Sequence, residues 1–110
     1  MASLLALRPL GQLALYGMTK AAITQMTKQL ALEWARHNIQ VNAICPGYIE
    51  TEMNQAIWKS PGGEKLLSKF VNRRVGTADV LEGSLLLLAS DRSDFITGSI
   101  IAVDDGQSLG

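Results

Sequence analysis

His37-Asn38-Ile39-Gln40-Val41-Asn42-Ala43-Ile44-Cys45-Pro46-Gly47 is the stretch in which the periodicity of this chain changes. Before it, from about Gly11 to Arg36, proline is absent and Gly17 is the only internal glycine. Gln25, Gln29 and Glu33 recur at i, i+4 as a polar stripe, while Met18, Ala22, Met26 and Leu30 run down another side. That spacing predicts an amphipathic helix with a wide apolar surface. Asn38 tolerates the left-handed conformation in which helices commonly stop. Ile39 to Cys45 then reads as a short buried strand, ended by Pro46-Gly47.

Working outward from that stretch, Tyr48 to Ser60 is mixed in character and reads as loop with a short helix. Glu64 to Val71 can form a second short helix. Thr77 is a candidate N-cap for a helix from Ala78 to about Ala89, with Asp79 in the first turn where the helix dipole favours an acid. Asp91 to Gly98 is a turn region, and Ser99 to Val103 is a second apolar strand. A strand, a helical crossover and a strand form a parallel unit, so the expected class is α/β.

Composition limits the function classes. The chain has 110 residues, of which 47% are hydrophobic and 18% charged, a balance that suits one packed domain rather than a disordered tail. Ten basic and ten acidic residues cancel, so no electrostatic footprint for nucleic acid or an anionic membrane is expected. Cys45 is the only cysteine, which excludes an intrachain disulfide and a Cys-rich metal site, and His37 adds too little to make one. No metal is expected. The leucine run Leu85 to Leu88 is far below the roughly 20 residues that a membrane span needs. Met1 to Leu7 is apolar but lacks a basic n-region, so a cytoplasmic location is the expectation.

The residues that can carry chemistry lie on the first helix. Tyr16 and Lys20 are four apart, which puts both side chains on one face. An ammonium beside a phenol favours the phenolate, and such a tyrosine can pass a proton to or from a carbonyl or alcohol oxygen. A Tyr and a Lys at this spacing also occur on many solvated helix faces, so the surroundings decide. Tyr16-Gly17-Met18-Thr19-Lys20-Ala21-Ala22 resembles the active-site helix of the short-chain dehydrogenase/reductase family. Ile39 to Gly47 resembles that family's next strand and its Pro-Gly turn. Phe95-Ile96-Thr97-Gly98 with Ile100-Ile101-Ala102-Val103-Asp104 resembles its last strand and entry. The match covers nearly the whole chain in order and spacing, and locally looks like 3-oxoacyl-(acyl carrier protein) reductase-like members.

The resemblance implies a fold, a cofactor and a site. The fold would be the C-terminal part of a Rossmann-type parallel sheet, incomplete: long helix, strand, helices, strand, as one partial domain over residues 1–110. The cofactor would be NADP or NAD, and the substrate a small carbonyl compound or secondary alcohol. Ser3, thirteen residues before Tyr16, would be the catalytic serine beside Tyr16 and Lys20. Lys20 would also hydrogen-bond the nicotinamide ribose. Pro46, Gly47, Ile49 and Thr51 would approach the nicotinamide, with the backbone able to come close at Gly47. Tyr48, Met53 and the segment to Phe70 fall where family members vary to recognise substrate. By contrast, Cys45 reads as a small buried hydrophobe and Asn42 as a partner for buried backbone groups. Trp34 and Trp58 read as packing residues, and His37 as a cation at a helix end.

No Gly-x-x-x-Gly-x-Gly phosphate loop occurs in these residues; Gly62-Gly63 has no strand before it. Asp104-Asp105-Gly106 also departs from the family's common Asp-Gly-Gly. The expectation is therefore an oxidoreductase fragment that is inactive alone. The alternatives are a non-catalytic fragment that oligomerises, or a half-enzyme completed by a separate N-terminal chain. An unpaired strand edge and an uncovered helix face favour a homo-oligomer.

Overall fold

The structure is a computed structural model that describes residues 1–110. Its elements are α1 (Ala14–Trp34), β1 (Ala43–Pro46), α2 (Gln55–Trp58), α3 (Pro61–Leu67), α4 (Glu82–Ala89) and β2 (Ile100–Val103), with short 3-10 turns between them. β1 and β2 form a two-stranded parallel sheet, in register from Ala43 opposite Ile100 to Pro46 opposite Val103. The α/β class and the parallel pairing expected from the sequence are both present.

The boundaries differ from the expected ones for local reasons. α1 begins at Ala14 rather than Gly11, because Gln12 adopts a positive φ of 65°. At its other end the chain passes through one 3-10 turn, Ala35–His37, to Asn38 in the left-handed region at φ 55°, ψ 40°. There the Asn38 amide donates to the Ala35 carbonyl and the Ile39 amide to the Trp34 carbonyl, the two bonds of a Schellman stop. His37 lies in the last turn, as expected, and its ring Nε2 sits 3.1 Å from Arg36 Nε.

The expected strand over Ile39 to Cys45 is shorter and shifted, running Ala43–Pro46. Its first residues are held by other bonds: the Val41 amide donates to Thr97 Oγ1 and the Val41 carbonyl accepts from the Gly98 amide. Asn42 does bridge backbone, donating to the Ile96 carbonyl and accepting from the Ser99 amide. α3 starts three residues before the expected Glu64, because Ser60 Oγ accepts from the Gly63 amide and Pro61 occupies the first turn. It also stops earlier, at Leu67. Thr77 does not cap the backbone: its hydroxyl donates to Asp79, and a 3-10 turn over Ala78–Leu81 precedes α4.

The face of α1 that meets the core is Ile23, Thr27 and Ala31, spaced by four, and the Thr27 hydroxyl is satisfied by the Ile23 carbonyl. Met18, Ala22 and Met26 stay on the exposed side. The core itself is thin: twelve residues are buried, among them Ala2, Ala43, Ile44 and Cys45 along the sheet. The expected loss of a partner on the outer edge of β1 is incomplete, since the Ala2 amide donates to the Ile44 carbonyl at 2.8 Å. The molecule is extended, with a radius of gyration of 15.5 Å where a compact domain of this length has about 13 Å. No helix is long and apolar enough to cross a membrane.

Candidate active site

In an open α/β sheet, ligands meet the carboxyl ends of the strands, so the site is sought where β1 ends at Pro46. Ala2 hydrogen-bonds alongside Ile44, and the Ser3 backbone amide approaches the Cys45 thiol, so Ser3 leaves the sheet next to the end of β1. Burial pushes the Cys45 thiol above its ordinary range, with the Ser3 amide working against that shift. Cys45 is wholly enclosed and acts as packing.

Ser3 caps the 3-10 turn Leu4–Ala6, its Oγ accepting from the Leu5 amide at 3.3 Å. An accepting hydroxyl keeps its own O–H free to donate. The same turn packs against α1, where the Gly17 position lies under the Leu5 carbonyl. Tyr16 precedes Gly17 and is half exposed, and Lys20 Nζ lies over the Tyr16 ring, 5.4 Å from its centroid. The i, i+4 spacing thus becomes a cation over an aromatic face, an arrangement worth about 0.5–1 kcal/mol when exposed. The Leu4–Ala6 turn, which Ser3 caps, thus packs against α1 beside Gly17, the residue next to Tyr16.

The other expected site residues form a second group. Pro46 ends β1 and the Gly47 amide donates to the Val103 carbonyl at 3.0 Å. Ile49 pairs in an isolated parallel bridge with Gly76. Thr51 is exposed, its amide donating to Asn54 Oδ1 at 2.7 Å. Gly47 and Ile49 line a cleft of about 320 Å³ with Gly76, Val80, Val103 and Asp104. None of Ser3, Tyr16, Lys20 or Thr51 lines that cleft.

The packing around position 47 by itself requires a glycine. A Cβ there would meet the Gln107 side chain and come within 2.8 Å of Asp104 Cα. Gly47→Ala is expected to cost about 1–3 kcal/mol through overpacking, measured by urea denaturation; an unchanged midpoint would refute the tight contact.

Two residues outside the sequence reading organise this end of the sheet. Asn54 accepts from the Thr51 amide and from Trp58 Nε1, and donates to the Ile49 carbonyl. Gln107 is buried and bonds three separate segments. Single polar residues in loops carry no periodic signal, so nothing in the sequence marked them. Beside them, Tyr48 stacks on Phe70 at 5.3 Å and meets the edge of Trp58 at 5.5 Å. Tyr48, Phe70, Leu4, Leu10 and Leu66 line a smaller cleft of about 140 Å³ whose rim carries Arg8 and Lys69. No three His, Cys, Asp or Glu side chains gather as a metal site.

Two parallel strands joined through helices define the class: an open α/β protein. The family model described as enoyl-(acyl carrier protein) reductase matches residues 1–108, and the chain belongs to the short-chain dehydrogenase/reductase family. It is similar to dehydrogenase/reductase SDR family member 4 of Oryctolagus cuniculus, 36% identical over 106 residues, 96% of this chain and 41% of that protein. It is also similar to the acetoacetyl-CoA reductase of Shinella zoogloeoides, 44% identical over 92 residues, 84% of this chain and 38% of that protein. Among solved structures, a gluconate 5-dehydrogenase from Burkholderia cenocepacia in complex with NADP and tartrate superposes with a TM-score of 0.90 at 34% identity, covering 99% of this chain and 43% of that one. A 4-hydroxyisoleucine dehydrogenase mutant complexed with NADH and succinate gives 0.91 at 33% identity, covering 99% and 45%. The chain therefore spans well under half the length of the relatives it matches.

Proposed function

We propose that this chain is the Tyr-bearing part of a nicotinamide-dependent oxidoreductase that interconverts a small carbonyl compound and a secondary alcohol. The observation that supports the reading is the Lys20 ammonium over the Tyr16 ring on α1, beside the Ser3-capped turn that packs at Gly17, within a family match over residues 1–108. In this reading the Tyr16 hydroxyl gives its proton to the carbonyl oxygen, and Ser3 donates a hydrogen bond to the same oxygen. The Lys20 ammonium stabilises the phenolate left behind and holds the ribose. A bound NADH or NADPH would supply the hydride to the carbonyl carbon. Pro46, Gly47, Ile49 and Thr51 form the wall toward the nicotinamide; the Gly47 backbone can serve there although its missing side chain is already explained by Gln107. The cleft beside Tyr48 and Phe70 lies on the substrate side.

The 110 residues alone are proposed to be inactive, because hydride transfer needs the nicotinamide held beside the substrate and no phosphate-cradling glycine loop lies among them. The test is a chimera in which the part of the Shinella zoogloeoides reductase that precedes its matched region is joined before Met1. The chimera is expected to oxidise NADH or NADPH with small ketones, and the chain alone to show neither turnover nor micromolar cofactor affinity by calorimetry. A folded chimera silent toward every ketone would sink the redox reading, and micromolar affinity of the chain alone would sink its inactivity.

The chain is further proposed to self-associate, as a soluble cytoplasmic homo-oligomer. Its accessible surface is 7630 Å², about 1,700 Å² more than the roughly 5,900 Å² of a compact monomer of this size. That excess, on one chain, is about twice the roughly 800 Å² that each partner buries in a standard interface. Met18 and Met26 on α1 are 60% and 53% exposed and offer one apolar face. Met26→Glu is expected to weaken association on the order of tenfold or more, because a charge would be buried unpaired. Light scattering across a concentration series checks this, and a wild-type chain that stays monomeric throughout refutes it.

A further inference from the structure

Gln107 sits in the last 3-10 turn, Gln107–Leu109, and is 3% exposed. A buried carboxamide is costly unless its oxygen and nitrogen are both satisfied. Here both are, and by segments far apart in the chain. Oε1 accepts from the Tyr48 amide at 2.7 Å, and Nε2 donates to the Arg74 carbonyl at 3.2 Å. The Gln107 backbone carbonyl accepts from Arg8 Nη1 at 3.1 Å, and its amide donates to the Asp104 carbonyl at 2.9 Å. The space below the turn after β1 is open to this side chain only because Gly47 has no Cβ.

We propose that Gln107 is a positioning residue: its carboxamide sets the turn Gly47-Tyr48 and ties it to the Arg74–Gly76 segment, fixing two walls of the 320 Å³ cleft with one side chain. The two halves of the carboxamide have separate duties. The oxygen holds the turn. The nitrogen holds the opposite wall, whose Gly76 amide and carbonyl bond to Tyr48 and Glu50. Without Gln107, those two backbone bonds and the Gly47–Val103 bond would remain, so the strand should persist while the turn loosens. The positional claim stands on these bonds alone; its consequence for hydride transfer rests on the reading of Pro46 to Thr51 as the nicotinamide wall.

Amide hydrogen exchange followed by NMR on the labelled chain separates the duties. In the wild type, the Tyr48 amide should be protected like the Gly47 amide. Gln107→Met removes both polar atoms at similar length and should speed Tyr48 exchange roughly tenfold, a typical hydrogen bond's worth, while Gly47 and Cys45 change little. Gln107→Glu keeps an acceptor for Tyr48 but cannot donate to Arg74 when ionised, so Tyr48 should stay protected while the Gly76 amide exchanges faster. Loss of protection at Tyr48, Gly47 and Cys45 together would mean a merely structural role and overturn the proposal. So would a Tyr48 amide that is unprotected in the wild type, or unaffected by Gln107→Met. Should Gln107→Met not fold, Gln107→Glu decides: equal loss at Tyr48 and Gly76 overturns the division. In the chimera, Gln107→Met should raise the cofactor KM about tenfold with kcat within about twofold, the same hydrogen bond read as affinity. An unchanged KM beside the expected exchange pattern would count against the nicotinamide wall and leave the role of Gln107 standing.

Discussion

Tyr16→Phe in the active chimera is expected to lower kcat by about 10²–10⁴-fold, the usual contribution of a positioned proton donor. The substitution removes one oxygen and keeps the ring beneath the Lys20 ammonium, so the contact between those side chains survives. Tyr16 is 46% exposed, so its hydroxyl has access to a ligand and its replacement removes little packing. The thermal midpoint should therefore stay within about a degree or two, as for surface substitutions generally. A loss of rate with an unchanged midpoint assigns the effect to chemistry. A variant retaining more than half of the rate would show that another group moves the proton.

The second large effect is structural. Phe70→Ala is expected to cost about 3–5 kcal/mol, the range for emptying a buried aromatic site. Phe70 is 8% exposed and stacks on Tyr48 with an interplanar angle of 24°, while Trp58 closes the other side of Tyr48 edge-on at 80°. These three aromatics, with the Asn54 hydrogen bonds, join the α2–α3 segment to the turn after β1. With two strands and twelve buried residues the molecule has little stability in reserve, and natural domains hold only about 5–15 kcal/mol. Urea denaturation followed by tryptophan fluorescence measures the change. A loss below about 1 kcal/mol would show that the cleft can collapse and that the aromatics are not a keystone.

Much of the fold was legible because its elements carry periods. The four-residue stripe of Gln25, Gln29 and Glu33 gave α1, and Asn38 gave its left-handed stop, since few side chains accept a positive φ. The apolar runs before Pro46 and Asp104 gave two strands. Tyr16 and Lys20 share a face because helix geometry leaves no choice at i, i+4. These are local decisions, and local sequence makes them.

Which apolar stripe of α1 would be buried was not a local decision. Two sides of that helix are apolar enough to face a core, and only the packing of the Leu4–Ala6 turn and the sheet selects Ile23, Thr27 and Ala31 over Met18, Ala22 and Met26. Likewise Ile39 and Gln40 read as strand, yet no neighbouring strand reaches them, because β2 begins pairing at Ile100. The helix that Thr77 was expected to start begins only at Glu82, after the 3-10 turn Ala78–Leu81.

By itself, then, the sequence determined the class, the order of elements, the long first helix and its stop, all set by backbone and side-chain preferences within a few residues. Tertiary structure alone decided which helix face is buried, why Gly47 must lack a side chain, and that Gln107 binds Tyr48, Arg74 and Arg8 into one corner. The physical reason is range. A period is written by neighbours a turn apart, whereas a buried carboxamide 59 residues from its partner finds it only once the chain has closed around both.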